Sequence, residues 1–110
     1  MIETEHPDLA RLEASAGEAA GLLRALSNEK RLMILCQLGD REMAVSQMMP
    51  LLGLSQSALS QHLAKLREET LVDTRREGTT IFYRIAEPAV LRVIALLAEI
   101  YCPPDGSLRP

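Results

Sequence analysis

The chain has 110 residues, 47% of them hydrophobic, and a formal net charge of −3 at pH 7. This length and hydrophobic share predict one domain, residues 1–110, with a hydrophobic core. No run approaches the roughly 20 apolar residues of a transmembrane helix, and the acidic opening has the wrong charge for a secretory leader, so we expect neither. Two distant cysteines do not form the disulfide framework of a small secreted protein, so we expect a cytoplasmic protein whose thiols are reduced at rest.

The charges are unevenly distributed along the chain. A net negative charge counts against nucleic-acid binding, because phosphate contacts carry much of the affinity and need a basic surface. Residues 1–20 hold five acidic side chains and only Arg11, whereas basic side chains crowd into a later stretch. These later basic residues are Lys65, Arg67, Arg75, Arg76 and Arg84. That stretch is the candidate contact surface.

Two helices are predicted at the start of the chain. Apolar residues recur at alternating steps of three and four, which predicts an amphipathic helix over about 9–24. Ser27 can cap a second helix, which ends where Gly39 interrupts the apolar pattern. Cys36 therefore falls near the end of the second helix.

The next two segments predict a helix-turn-helix over about 44–68. A short apolar helix ends at Gly53, where a chain leaving a helix commonly needs a positive φ, although Pro50 conflicts with a helix interior. Ser55 is a good cap for the following helix, which has one apolar and one polar face. The inward-facing residues are Leu59, Leu63 and Leu66.

A hairpin and a last helix complete the predicted domain. Two segments rich in β-branched and aromatic residues flank a turn at Gly78, which predicts a single hairpin, or wing, over about 71–86. Pro88 suits the first turn of a helix over about 88–102, which Pro103 ends. Cys102 falls at the end of this helix.

The apolar surface of the helices predicts a dimer. Apolar residues almost encircle the last helix, and the first helix carries a second apolar seam, so we expect the helices at 9–24 and 88–102 to form an interface. The predicted fold is mainly α with a small β-hairpin: a dimeric winged helix-turn-helix of four helices, two strands and a fifth helix. Loose ends are expected at about 1–7 and 104–110.

The polar face of the fourth helix is the candidate DNA-reading surface. Short polar side chains suit base edges and phosphates, and this face offers Gln56, Ser57, Ser60, Gln61, His62 and Lys65. Gln61 is the best single base reader, and His62 is expected to contact a phosphate or simply lie on the surface. Spacing alone also fits an ordinary solvated helix face. The adjoining hairpin favours DNA binding, because Arg75 and Arg76 can follow the backbone or enter a minor groove.

Two segments carry a family resemblance. The first, Ala25-Leu26-Ser27-Asn28-Glu29-Lys30-Arg31-Leu32, opens the second helix, and the other, Leu54-Ser55-Gln56-Ser57-Ala58-Leu59-Ser60-Gln61-His62-Leu63, covers the proposed recognition helix. Together they resemble the ArsR (arsenic-repressor) winged-helix regulators over about residues 18–102. The resemblance implies a dimeric repressor of five helices and a wing that binds an inverted repeat in double-stranded operator DNA and is released by an inducer.

The cysteines narrow the resemblance to one branch of that family. Metal-sensing members carry a cysteine pair before the recognition helix or an Asp, His and Glu set on the last helix, and the corresponding segments here contain neither. Cys36 and Cys102, with their neighbours, are similar to the persulfide-sensing branch of the SqrR and BigR type. The resemblance implies that persulfide or polysulfide bridges these two residues with extra sulfur and derepresses genes for sulfide detoxification. It implies no cofactor and no metal site.

Other functions remain open on the residues alone. A metal sensor could combine the cysteines with His6 of a second copy, and a general thiol-redox repressor would use the same pair. A dimeric interaction module without DNA binding fits the negative charge and the helical seams. We do not expect an enzyme, since neither histidine stands with a nucleophile and an orienting group, and no phosphate loop or metal motif is present.

Overall fold

The computed structural model describes residues 7–102, in which six helices and one three-stranded sheet follow one another. In chain order they are α1 Pro7–Ala14, α2 Ala16–Leu26, α3 Glu29–Leu38, β1 Met43–Ala44, α4 Val45–Leu52, α5 Gln56–Glu68, β2 Val72–Glu77, β3 Thr80–Ile85 and α6 Pro88–Tyr101. The predicted class, a mainly helical winged helix-turn-helix, is confirmed. The predicted loose ends lie outside the described residues, except that α1 already begins at Pro7.

The first predicted helix is divided in two, so the described chain has six helices where five were expected. Ser15 separates α1 from α2 with φ −107° and ψ 11°, and its side chain makes no capping hydrogen bond. Its backbone N–H is shared between the carbonyls of Arg11 and Leu12, at 3.1 and 3.0 Å. Serine and the nearby Gly17 are weak helix formers, and the apolar periodicity that suggested one helix does not register such a local break.

The cap of α3 is Asn28, whereas the sequence suggested Ser27. The Asn28 side chain accepts the backbone N–H of Arg31 at 3.0 Å, and its backbone is extended, as an N-cap requires. Ser27 instead ends α2, where its hydroxyl donates to the Arg24 carbonyl at 2.9 Å. Adjacent polar residues are both good capping types, so propensity alone did not separate them.

The sheet has one strand more than the predicted hairpin. Its order is β1-β3-β2, and both pairings are antiparallel. Met43 pairs with Tyr83 in this added strand, and Ala44 pairs with Phe82. Two residues are too few to show the alternation by which a strand is recognised in sequence.

The helix-turn-helix tolerates Pro50 inside α4. Proline removes one hydrogen bond of the helix, to the carbonyl of Ser46, and both residues are exposed, so water can reach that carbonyl. Gly53 then ends α4 in the left-handed region with φ 65°, and its N–H donates to the Met49 carbonyl at 2.9 Å. This turn directs the chain into α5.

The core lies between α3, α4 and α5 on one side and the inner face of the sheet on the other. Its fully buried side chains are Ile34, Leu35, Leu38, Met48, Leu59, Leu63, Leu66 and Val90. The three leucines of α5 recur at steps of four and three, so they form one stripe and leave the opposite face to solvent. Within residues 7–102 no helix is long and apolar enough to cross a membrane.

Candidate nucleic-acid interface and thiol pair

Helix α5 presents the polar face that the sequence singled out. Ser55 caps it: its hydroxyl accepts the Ala58 N–H at 3.1 Å. The buried leucine stripe fixes the rotation of the helix, so the opposite side chains face solvent. Five of the six predicted residues are exposed: Gln56 at the first position of the helix, and Ser57, Ser60, Gln61 and Lys65 away from the leucine stripe.

His62 lies apart from that exposed set. It is half-buried, and it follows Leu59 by three positions and precedes Leu66 by four, which places it along the buried stripe. Its ring is therefore less accessible to a ligand on the polar face than the side chain of Gln61.

Lys65 carries two loose ion pairs. Its Nζ atom lies 3.9 Å from Glu68 and 4.0 Å from Glu69, and all three side chains are exposed. Exposed pairs at such distances contribute little and are screened by salt. Lys65 can therefore exchange these carboxylates for another anion at small cost.

The two wing arginines lie on opposite faces of β2, since successive side chains of a strand alternate. Arg76 is exposed and pairs across the ladder with Ile81. Among the described residues Arg76 makes no ion pair. Its guanidinium is thus available to a ligand that approaches the wing.

Arg75 is engaged within the protein. Its Nε donates to Oε2 of Glu42 at 3.0 Å and its Nη2 to Oε1 at 2.9 Å, while Nη1 lies 3.6 Å from Glu77. Its Cζ lies 4.8 Å from the centroid of the Phe82 ring. The hydrogen bond between the two side chains lowers the pKa of Glu42 and raises that of Arg75. Glu42 was missed by sequence reasoning, because it stands 33 positions from Arg75.

Cys36 and Cys102 lie on two helices that contact each other, α3 and α6. Cys36 lies on α3, Cys102 ends α6, and both are free and exposed. Partial burial of the Cys36 thiol raises its pKa, and the charge of a Cys102 thiolate raises it further. The Cys102 backbone N–H donates to the Ala98 carbonyl at 2.7 Å, which anchors the cysteine to the last turn of α6.

Within residues 7–102 the two thiols do not join a larger set of metal ligands. In the described part of the chain no group of three or more histidine, cysteine, aspartate or glutamate side chains could hold a metal ion. His6, the residue named for a metal-sensing alternative, lies outside the described residues.

Helices α1, α2 and α6 each leave large apolar side chains exposed. Leu23 on α2 is 61% exposed and Leu96 on α6 is 53% exposed, and Leu12 and Tyr101 are also exposed. An open groove of about 370 Å³ follows α6 and is lined by Ala89, Arg92, Val93 and Leu96. Only Val90 of α6 is fully buried.

Comparison with known proteins gives matches across most of the chain. Residues 28–74 match a family profile described as bacterial regulatory protein, arsR family. The transcriptional activator HlyU of Vibrio cholerae is 47% identical over 95 residues, which are 86% of this chain and 88% of that protein. The biofilm growth-associated repressor of Agrobacterium fabrum is 43% identical over 100 residues, which are 91% of this chain and 86% of the relative.

Solved structures show the same fold. The transcriptional repressor BigR from Xylella fastidiosa superposes with a TM-score of 0.81 at 39% identity and covers 84% of this chain and 95% of its own. The homodimeric winged helix-turn-helix DNA-binding domain from Mycobacterium bovis superposes with a TM-score of 0.70 at 35% identity, covering 89% of each chain. The relatives are regulators, which confirms the prediction that the chain is not an enzyme.

Proposed function

Because the chain belongs to the ArsR family of bacterial regulatory proteins, we propose that it is a homodimeric repressor that senses reactive sulfur. It binds an inverted repeat in double-stranded operator DNA and releases it when sulfur bridges Cys36 to Cys102. The observation that carries the sensing role is the pair of free, exposed thiols on α3 and α6, two helices that contact each other.

DNA binding is assigned to α5 and the wing. The exposed side chains of Gln56, Ser57, Ser60 and Gln61 are short or flexible polar groups of the kind that read base edges in a major groove. Lys65 and Arg76 neutralise phosphates, and the half-buried His62 contributes at the edge of the surface. The negative net charge does not oppose this, because local basic side chains face the DNA.

The dimer is assigned to α1, α2 and α6. Their exposed leucines form an apolar surface that a second copy can bury. The homodimeric domain from Mycobacterium bovis supports dimerisation of this fold. A two-fold dimer presents two recognition helices, which matches an inverted repeat with half-sites about 34–36 Å apart.

Repression is the proposed direction of control. The relative from Agrobacterium fabrum and the BigR structure are both named repressors, whereas the relative from Vibrio cholerae is named an activator. The thiol pair is the feature by which this chain resembles the persulfide-sensing repressors. The regulated genes would then serve sulfide detoxification, in a reducing cytoplasm where both thiols are free at rest.

The sulfur chemistry balances with a persulfide as the sole oxidant. Each cysteine thiolate attacks the outer sulfur of a glutathione persulfide, takes up that sulfur and releases glutathione. The perthiolate on one cysteine then attacks the Sγ atom of the other and displaces hydrogen sulfide. The product is a trisulfide, in which one inserted sulfur links Cys36 to Cys102. This bridge spans a longer gap than a disulfide, whose Cα atoms must lie about 4.4–6.8 Å apart.

The position of Cys36 offers a route from the bridge to DNA. Helix α3 contacts both α5 and α6. A covalent bridge from α3 to the end of α6 therefore links the helix that supports α5 directly to a dimer helix. A small shift of α5 in each protomer changes the separation of the two recognition helices, and fixed half-site spacing tolerates little such change.

The test combines intact mass with operator binding. Reduced protein is exposed to glutathione persulfide, with hydrogen peroxide in parallel, and bound to a palindromic fragment from upstream of its own gene. We expect persulfide to add one sulfur less two hydrogens and to release the DNA. Cys36→Ser and Cys102→Ser should bind the fragment as the wild type does and ignore persulfide.

Each contrary outcome contradicts a separate part of the proposal. Equal release by peroxide indicates a general thiol-redox repressor, and zinc-induced release of an untreated protein indicates a metal sensor. Persulfide release that persists in either serine variant rejects the cysteine pair. If the wild type shows no salt-dependent binding to the upstream fragment, the protein is an interaction module without a DNA role.

A further inference from the structure

The Arg75 side chain crosses the whole sheet. Arg75 lies on β2 opposite Phe82 of β3, and Phe82 in turn lies opposite Ala44 of β1. The guanidinium passes over the Phe82 ring at 4.8 Å and reaches Glu42, the residue just before β1. The side chains of Glu42, Arg75 and Phe82, which we call the Glu42–Arg75 strap, therefore link β2 and β3 to the residue that precedes β1, on one face of the sheet.

The contacts of the strap have the geometry of a specific link. Two parallel N–H···O bonds, at 3.0 and 2.9 Å, join the guanidinium to the Glu42 carboxylate. This forked arrangement is stronger and more directional than a single exposed ion pair, and the aromatic ring adds a cation–π contact. Lysine cannot reproduce the fork, because its ammonium is a single point charge.

The strap joins two parts of the candidate DNA surface. Glu42 lies in the connection between the end of α3 and the start of α4, so it belongs to the base of the helix-turn-helix. Arg75 lies two residues from the end of β2, near the turn at Gly78. Strand β1 has only two residues, so its backbone hydrogen bonds to β3 do little to fix the outer part of the wing.

We propose that Arg75 is a positioning residue, which holds the wing against the helix-turn-helix through Glu42 and does not itself contact DNA. This inference rests on the proposed DNA-binding function. It removes Arg75 from the residues predicted to contact DNA and gives it a positioning role. Arg76, on the opposite face of β2, keeps the phosphate contact. A wing held in one orientation loses less freedom on binding, so the strap raises operator affinity without adding a contact.

The test measures operator affinity against salt concentration for Glu42→Gln, Arg75→Gln, Arg75→Lys and Arg76→Gln. Asp73→Asn is the matched control, since it removes a carboxylate on the same face that pairs with Arg84 at 3.4 Å. We expect Glu42→Gln and both Arg75 variants to lose about fivefold in affinity, equivalent to about 1 kcal/mol. Their salt slopes should match that of the wild type, and the double variant Glu42→Gln with Arg75→Gln should be no weaker than either single one.

Arg76→Gln should behave differently, because a lost phosphate contact reduces the salt slope by about 1. Rescue of binding by Arg75→Lys would show a phosphate contact and overturn the proposal. Tighter binding by Glu42→Gln would also overturn it, since Glu42 would then be withholding Arg75 from DNA. If the wild type binds the operator and all strap variants bind it with the same affinity, the positioning role of the strap is rejected and the DNA-binding function stands.

Hydrogen exchange in the DNA-free protein separates this inference from the proposed function. Glu42→Gln should speed exchange of the β2 and β3 amides near Gly78, while Asp73→Asn should leave them nearly unchanged. Unchanged exchange in Glu42→Gln would show that the strap does not hold the wing, whatever the wild type binds. Faster exchange beside a wild type that binds no operator would reject the DNA function and leave the mechanical link in place.

Discussion

At the scale of single residues, the two cysteines differ in their surroundings. Cys36 is packed on one side by the body of the domain, and burial raises its pKa; the nearby Cys102 acts in the same direction. A raised pKa favours the neutral thiol, so Cys36 is less often a nucleophilic thiolate at neutral pH than a cysteine of ordinary pKa. Its contribution to folding stability is present below the ordinary cysteine pKa and is lost as the pH rises through the raised value.

Cys102→Ser should lower the pKa of Cys36, because the charge that opposes the Cys36 thiolate is removed. Burial remains, so the pKa should still lie above the ordinary cysteine value. The pH dependence of iodoacetamide alkylation, followed by mass spectrometry in wild type and variant, measures this shift. An unchanged midpoint would mean that the two thiols are too far apart in solution to interact, and would also weaken the case for a bridge.

At the scale of elements, the start of α3 depends on one capping side chain. Asn28→Ala removes the acceptor of the Arg31 N–H, which should destabilise the protein by about 1 kcal/mol in urea unfolding. Ser27→Ala is the matched control, since its hydroxyl bonds only the end of α2, and we expect a smaller loss. A larger loss of unfolding free energy for Ser27→Ala than for Asn28→Ala would indicate that Ser27 caps α3, as the sequence suggested.

The elements also show which features a sequence can predict. The order of helices and wing was predicted because apolar periodicity, Ser55 and Gly53 are local signals that each element carries in itself. The break at Ser15 and the two-residue strand β1 were not predicted, because each is shorter than the period that would reveal it.

The candidate site divides in the same way. The exposed face of α5 follows from its leucine stripe, so its polar residues could be named from spacing. The link between Glu42 and Arg75 depends on strand pairing across 33 positions, which no local pattern encodes. The approach of Cys36 to Cys102 likewise depends on how α3 and α6 meet, and only the family resemblance suggested it beforehand.

At the scale of the whole molecule, the uncovered apolar surface determines whether one protomer can act alone. Leu96 on α6 is 53% exposed, and Leu51 on α4 is 54% exposed, yet of the two only Leu96 lies on a proposed dimer helix, in the groove that follows α6. Leu96→Glu and Leu51→Glu are therefore a matched pair: each places one charge on an equally exposed leucine. They differ in whether a second copy is expected to cover the site.

Leu96→Glu should produce a monomer in sedimentation velocity, because burying an unpaired carboxylate at the interface costs more than the lost leucine contacts. Leu51→Glu should stay dimeric. The loss of dimerisation in Leu96→Glu should also lower operator affinity. A monomer has one recognition helix, so it binds one half-site and does not gain affinity from two linked contacts. A Leu96→Glu protein that remains dimeric would place the interface elsewhere. The distance between the two α5 helices would then be set by other elements, and a bridge from α3 to α6 could no longer change it directly.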